Sequence, residues 1–116
     1  MRRDPSYLAD MLLAARNAVE FVGGLTQQQF EQDVLRQNAV VKAVEIVGEA
    51  ASRLSAETKE ELPEIAWDKI IGMRHRLVHG YFAINYGRVW EVVQNDLPKL
   101  ISQLEPIVPS EPVPSD

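Results

Sequence analysis

Apolar residues recur every three or four positions along almost the whole chain, and this helical period restricts the fold more than any other feature. Residues 33–54 show the widest set of apolar positions and predict one long helix with a wide apolar surface. A similar row predicts a first helix that starts at Asp4-Pro5, a capping residue followed by proline, and stops at Gly23-Gly24. The two rows are Leu8, Met11, Leu12, Ala15, Val19 and Val22, and then Leu35, Ala39, Ala43, Ile46, Ala50 and Leu54.

Two short helices are predicted beside the long one. Thr26 is expected to cap a turn over residues 27–31, which leads into the long helix. Ser55 is expected to begin a short acidic helix that Pro63 interrupts.

The second half of the chain predicts two more helices, over residues 66–78, ending at Gly80, and over residues 86–104. Pro98 lies inside the last helix and lacks a backbone donor, so we expect a kink or local break there. No strand pattern appears. The predicted fold is therefore all-α, an up-and-down bundle of four to five helices.

The composition predicts one globular domain. Hydrophobic residues make up 46% of the 116 and charged residues 25%, both ordinary values. No apolar run approaches a membrane span and no signal-type segment opens the chain, so a cytoplasmic protein is expected. The lack of cysteine excludes a disulfide, a thiol nucleophile and a thiolate metal site. We assign residues 1–106 to the helical domain and the proline-rich residues 107–116 to a disordered tail.

A basic stretch over residues 69–90 differs in charge from the rest of the chain. It contains Lys69, Arg74, Arg76 and Arg88 and no acidic residue, whereas the whole chain has a net charge of −5, which leaves about −9 for the other residues. Two histidines, His75 and His79, lie within it. A cationic stretch with histidines predicts a site for a phosphate-bearing ligand.

Arg74 is expected on the apolar side of its helix, because Ile70 and Leu77 fall within about one quadrant of it at 100° per residue. A buried guanidinium needs a partner. Glu45 or Glu49 of the long helix could supply it, either as a purely structural ion pair or as a group that holds the arginine for a ligand. Both alternatives stay open at this stage.

His79 lies about 140° around an ideal helix from Arg74, so the two side chains do not converge on a straight helix. Either the helix ends before Gly80 and the chain turns His79 back, or two chains place their motifs face to face. His75 and His79 have the i, i+4 spacing of a helical metal pair. Because Arg76 would repel a cation and no third ligand is evident, we expect no metal.

The spacing Arg74-x4-His79-x-Tyr81 matches the R-x4-H-x-Y signature of the HEPN superfamily, and the chain resembles its HepT-like ribonuclease toxins. The surrounding sequence is similar as well, including the part of the long helix that contains Glu45 and Glu49. The likeness spans residues 5–105, with matching segments at residues 39–51, 63–67, 70–74, 78–82, 89–90 and 95–98.

The resemblance implies an all-helical homodimer whose two motifs meet in one cleft, and metal-independent cleavage of RNA, with transfer RNA as the substrate class. It also implies a partner, an MNT-type nucleotidyltransferase antitoxin of a type VII-like toxin–antitoxin pair. That antitoxin would transfer AMP from ATP to the motif tyrosine, here Tyr81. The toxin itself would need no cofactor, since the antitoxin uses the ATP.

The chemistry suggests a role for each residue of the motif. Metal-free cleavage uses the ribose 2′-hydroxyl as nucleophile and needs a proton-transfer group near neutral pH and a fixed positive charge. We assign these roles to His79 and Arg74, with Tyr81 positioning the phosphate. Lys69 and Arg76 are candidates for binding the RNA backbone.

Two other functions are compatible with the sequence. One is a non-catalytic helical module that binds a nucleotidyltransferase and presents its substrate. The other is a structural bundle in which Arg74 pairs with Glu49 and His79 caps a helix. A non-catalytic module of the first kind would not need the arginine–histidine pair, whereas this chain contains both Arg74 and His79.

Overall fold

The computed structural model describes residues 3–79 and 83–109, with the backbone alone at Val78 and His79. It confirms the predicted all-α bundle. The helices are α1 (Arg3–Phe21), α2 (Gln27–Phe30), α3 (Val34–Ser52), α4 (Ala56–Glu61), α5 (Trp67–Ile71), α6 (Met73–Leu77), α7 (Tyr86–Glu91) and α8 (Leu97–Leu104). A π-helical segment, Val92–Asp96, joins α7 to α8.

The two long helices, α1 and α3, form the centre of the bundle, and α8 packs on α1. Contacts at both ends show that α1 and α3 run antiparallel. At one end Arg36 Nη1 donates to the Phe21 carbonyl at 2.7 Å, and at the other Ser55 Oγ donates to Asp4 at 2.6 Å. The largest fully buried side chains are Phe30, Met11, Met73, Leu77, Leu97, Leu100 and Leu104.

The caps that the sequence predicts at Thr26 and Ser55 are confirmed. The predicted cap at Asp4 is wrong, because α1 already includes Arg3 and the Asp4 carboxylate accepts hydrogen bonds from Ser55 and Thr58 instead. Thr26 and Gln29 form a reciprocal capping box at α2. Asp33 caps α3 by accepting from the Arg36 N–H, and Ser55 caps α4 by accepting from the Thr58 N–H. Each cap satisfies a backbone donor that the first helical turn leaves without a partner, so these boundaries can be predicted from local sequence.

The prediction of one continuous helix over residues 66–78 is wrong, because the structure has two short helices there. The segment divides at Gly72 into α5 and α6, and α6 ends at Leu77. Gly72 has φ −83° and ψ 2°, and a Cβ added there would lie 3.1 Å from the Asp68 carbonyl oxygen. A side chain is therefore crowded at this turn, and glycine allows the chain to change direction between the two helices.

Pro98 is accompanied by the local break that the sequence predicts. Proline cannot donate a hydrogen bond, and the helix widens before it into the π-helical segment. There the Leu97 N–H bonds to the Val92 carbonyl, five residues back, instead of four. Asp96 is the last residue of that widened turn.

The expectation of no strand is wrong at one place. Val78 and His79 form strand β1, which pairs antiparallel with β2 (Ala83–Ile84), with Val78 opposite Ile84 and His79 opposite Ala83. The Asn85 N–H then bonds to the Leu77 carbonyl at 2.7 Å, and Asn85 caps α7. The pairing fixes the backbone of His79 directly after α6.

Near the carboxyl-terminal end of the described chain, the Val108 side chain packs against the hydrophobic core, and the Val108 N–H bonds to the Leu104 carbonyl at 3.0 Å. Residues 110–116, most of the predicted tail, lie outside the described residues, and the boundary at residue 107 stays a prediction. None of the helices within residues 3–79 and 83–109 has the length and apolarity needed to cross a bilayer.

Candidate functional site

Arg74 is exposed, so its predicted burial on the apolar side of the helix is wrong. The buried residues of α5 and α6 are Ile70, Met73 and Leu77. With Met73 included, the centre of the apolar stripe lies roughly 65° from Arg74 even at 100° per residue. The Arg74 guanidinium therefore needs no buried partner.

Arg74 lies on a groove of about 340 Å³ between α1, α3 and α6, which we call the Arg74 groove. Glu45 and Glu49, the two predicted partners of Arg74, line this groove. Within the described residues, however, Arg74 has no ion-pair partner. Glu49 instead accepts two hydrogen bonds from Arg53, at 2.8 and 3.0 Å. The other side chains along the groove are Tyr7, Asp10, Lys42, Ile46 and Ala50.

Tyr7 is the aromatic residue of the Arg74 groove, and two cations lie near its hydroxyl. The guanidinium groups of Arg3 and, to a smaller extent, Arg53 hold the pKa of the Tyr7 phenol below its usual value. Glu49 and Tyr7 together raise the pKa of Arg53. This wall of the groove is therefore a polar network in which Tyr7 lies between two guanidinium groups and Arg53 also binds Glu49.

Lys69 and Arg76, the two candidates for binding the RNA backbone, share one carboxylate. Asp96 Oδ1 lies 3.3 Å from Lys69 Nζ, and Asp96 Oδ2 accepts from Arg76 Nη2 at 3.0 Å. The Asp96 side chain is only 20% exposed. The basic stretch of the sequence is thus partly neutralised in space by a residue that lies outside it.

The other two motif residues are less completely placed. The backbone of His79 lies in β1, five residues after Arg74, so the helix does end before Gly80. Tyr81 lies outside the described residues. His75 is exposed on α6, and in the described part of the chain no group of three or more His, Asp or Glu side chains is arranged to hold a metal. Metal independence stays a prediction.

Sequence reasoning missed two parts of this site. The first is the α1 wall with Tyr7 and Asp10, which the antiparallel packing of α1 on α3 brings beside Arg74. The second is the role of Asp96. The sequence contains one signal for these parts, the similarity of residues 95–98 to the HepT-like toxins, and that similarity does not identify what Asp96 contacts.

Comparison with known proteins places the chain in a family of ribonucleases. Residues 11–107 match the family model described as "Ribonuclease HepT-like", and the chain belongs to the HepT-like ribonuclease family. This confirms the resemblance found in the sequence.

Several curated relatives are similar over almost their whole length. The chain is 32% identical to "Putative RNase MJ1380" of Methanocaldococcus jannaschii over 100 residues, which cover 86% of this chain and 92% of the relative. It is 33% identical to "Putative RNase TTE0752" of Caldanaerobacter subterraneus subsp. tengcongensis, covering 96% and 99%. It is 34% identical to "Probable ribonuclease HepT" of Thermococcus cleftensis, covering 90% and 94%. No solved structure matches the chain significantly.

Proposed function

We propose that this protein is an endoribonuclease toxin that cleaves RNA without a metal ion, with Arg74 and His79 as its catalytic residues. The observation that supports this best is the exposed guanidinium of Arg74 at a groove, without a carboxylate partner among the described residues. A phosphodiester can approach a cation in that state, whereas an arginine held in a structural ion pair would first have to exchange its partner.

In the proposed reaction, the ribose 2′-hydroxyl attacks the adjacent phosphorus. A base removes its proton, the bond from phosphorus to the 5′-oxygen breaks, and an acid protonates that leaving oxygen. The products are a 2′,3′-cyclic phosphate and a 5′-hydroxyl. His79 transfers protons, because imidazole titrates near neutral pH, and Arg74 stabilises the charge that develops on the phosphorane oxygens.

The proposed active unit is a homodimer in which two motifs face one cleft, with transfer RNA as the substrate class. Tyr81 would position the phosphate in the active toxin. The proposed partner is an MNT-type nucleotidyltransferase antitoxin, which transfers AMP from ATP to the Tyr81 hydroxyl with release of pyrophosphate. The attached nucleotide would add bulk and negative charge where the RNA phosphate must bind. The toxin itself requires no cofactor.

Cleavage by the purified protein tests the nuclease directly. We expect it to cut transfer RNA in the presence of EDTA and to leave cyclic phosphate ends. His79→Ala is expected to reduce the rate by about 10²–10⁴-fold, the usual contribution of a proton-transfer group. In cells that express the chain alone, we likewise expect wild type to arrest growth and His79→Ala to have a much weaker effect. Equal rates for wild type and His79→Ala would contradict the assignment, and activity that disappears with EDTA would contradict metal independence.

Mass spectrometry tests the silencing. After incubation with the antitoxin and ATP, we expect AMP on a peptide that contains Tyr81 and none on Tyr81→Phe. A protein that binds the nucleotidyltransferase but cleaves no RNA would instead favour the non-catalytic module.

A further inference from the structure

Asp96, the last residue of the π-helical segment, contacts both α5 and α6, the helix that contains Arg74. Its two carboxylate oxygens contact Lys69 of α5 at 3.3 Å and Arg76 of α6 at 3.0 Å. The three side chains come from separate elements, and Asp96 lies at least 20 residues from either partner along the chain. A carboxylate that holds two cations from different helices restricts the position of both helices at once.

Asp96 is the last residue of the π-helical segment. A π turn contains one more residue than an α turn, so it shifts the following residues by about 100° relative to a continuous α-helix. Pro98 lacks the N–H that a continuous α-helix would need at that position, and the widened turn ends at Asp96. The proline and the carboxylate thus belong to one local arrangement.

The geometry of α6 links this contact to Arg74. Arg74 and Arg76 are two residues apart, so they project about 200° apart around the helix. Arg76 points to Asp96, while Arg74 lies on the Arg74 groove. Met73 and Leu77 anchor one face of this five-residue helix in the core, and the bond from Arg76 to Asp96 adds a polar contact on another side of it. The Arg76 Nε atom is also buried without a hydrogen-bond partner in the described structure, so the bond from Nη2 to Asp96 is the polar contact that holds this guanidinium.

We propose that Asp96 is a positioning residue, which sets the rotation of α6 through Arg76 and of α5 through Lys69 so that Arg74 faces the groove. The inference rests on the proposed nuclease function. It gives Lys69 and Arg76 a different role from RNA binding: they orient Arg74 from the opposite side of the helix. Loss of Asp96 therefore lowers the rate of the chemical step and leaves substrate affinity unchanged.

Enzyme kinetics distinguish the two roles. Asp96→Asn is expected to lower kcat by about 10- to 100-fold with KM within about twofold of wild type, as for a misplaced transition-state contact. Asp96→Glu keeps the charge and should recover most of the rate. Lys69→Met removes only the 3.3 Å contact and should show a smaller loss, again in kcat. Glu91→Gln is the matched control, because Glu91 is an exposed carboxylate of α7 with no ion-pair partner in the described residues.

Three kinetic outcomes would overturn the inference. The first is an unchanged kcat and KM in Asp96→Asn. The second is a lower KM with intact kcat, which would mean that Asp96 masks two RNA-binding cations and that its removal frees them. The third is a kcat loss equal to that of Glu91→Gln, which would show that the role is not specific to Asp96.

Hydrogen–deuterium exchange provides a readout that does not require activity. In Asp96→Asn we expect amide exchange in α6 to rise about 10-fold, while α1 and α3 keep wild-type protection. Unchanged exchange in α6 would refute the positioning role whether or not the protein cleaves RNA. Conversely, if wild-type protein cuts no RNA but Asp96→Asn shows the faster exchange in α6, the proposed function is refuted and the positioning contact stays in place.

Discussion

Replacing Arg74 should separate catalysis from folding more cleanly than any other change in the chain. The side chain is exposed and has no ion-pair partner among the described residues, so no packing and no salt bridge is lost in Arg74→Ala. Surface changes of this kind alter the free energy of unfolding by no more than about 0.5 kcal/mol. Alanine also favours the helix slightly more than arginine does.

The effect on cleavage should be much larger. Removal of one group that stabilises transition-state charge costs about 10²–10³-fold in rate, or roughly 3–4 kcal/mol. Arg74→Lys keeps the charge but loses the planar pair of donors, so an intermediate loss of about 10-fold is expected. The assay is single-turnover cleavage of transfer RNA in EDTA, with urea unfolding of the same preparations.

Lys99→Ala is the control, since it removes one exposed cation from α8, which does not line the Arg74 groove. We expect wild-type cleavage and wild-type stability for it. Two results would refute the reasoning. If Arg74→Ala unfolds at much lower urea, the residue is structural. If it cleaves as fast as Lys99→Ala, the groove is not the reaction site.

Three further predictions concern the fold around the site. Hydrogen bonds from Ser55 and Thr58 hold the pKa of the Asp4 carboxyl below its usual value, so Asp4 stabilises the fold above about pH 4 and loses that effect as the pH falls. Asp4→Asn should therefore be less stable than wild type at pH 7, and urea unfolding should show the difference shrinking towards pH 3; a difference independent of pH would contradict this. Met73→Ala removes a fully buried side chain and should cost about 2–5 kcal/mol in urea unfolding, and a loss below 1 kcal/mol would mean that Met73 is not part of the core. A Cβ at Gly48 would lie 3.5 Å from the carbonyls of Ile70 and Ile71, so Gly48→Ala should keep wild-type activity, whereas Gly48→Leu should push α5 away and lower both stability and cleavage; full activity of the leucine variant would refute the close packing.

The elements that the sequence predicted well depend on local signals. The caps at Thr26 and Ser55 each act within three residues, and the long apolar rows of α1 and α3 identify their helices without knowledge of what packs on them. The break near Pro98 was predictable for the same reason, because a missing N–H is a property of one residue.

What the sequence missed depends on neighbours that are distant along the chain. The exposure of Arg74 depends on which side of α6 faces α3, and the break at Gly72 separates α6 from the longer helix in which the prediction had placed it. The contact of Asp96 with Lys69 and Arg76 depends on a π turn that no apolar period indicates. The predicted roles of His79 and Tyr81 stay predictions, since neither side chain is among those described.

The distribution of charge favours recognition of RNA through few contacts. A protein with a net charge of −5 cannot gather RNA by long-range attraction over its whole surface. Of the four cations in the basic stretch, Lys69 and Arg76 face Asp96, and Arg88 is exposed on α7 and does not line the Arg74 groove. Arg53, which lines the groove but lies outside the stretch, is bonded to Glu49. Arg74 is therefore available to one phosphate rather than part of a continuous basic track. On the proposed function, affinity then depends on the shape of the RNA and on the second protomer of the dimer. We therefore expect a folded RNA such as transfer RNA to be cut faster than an arbitrary single strand.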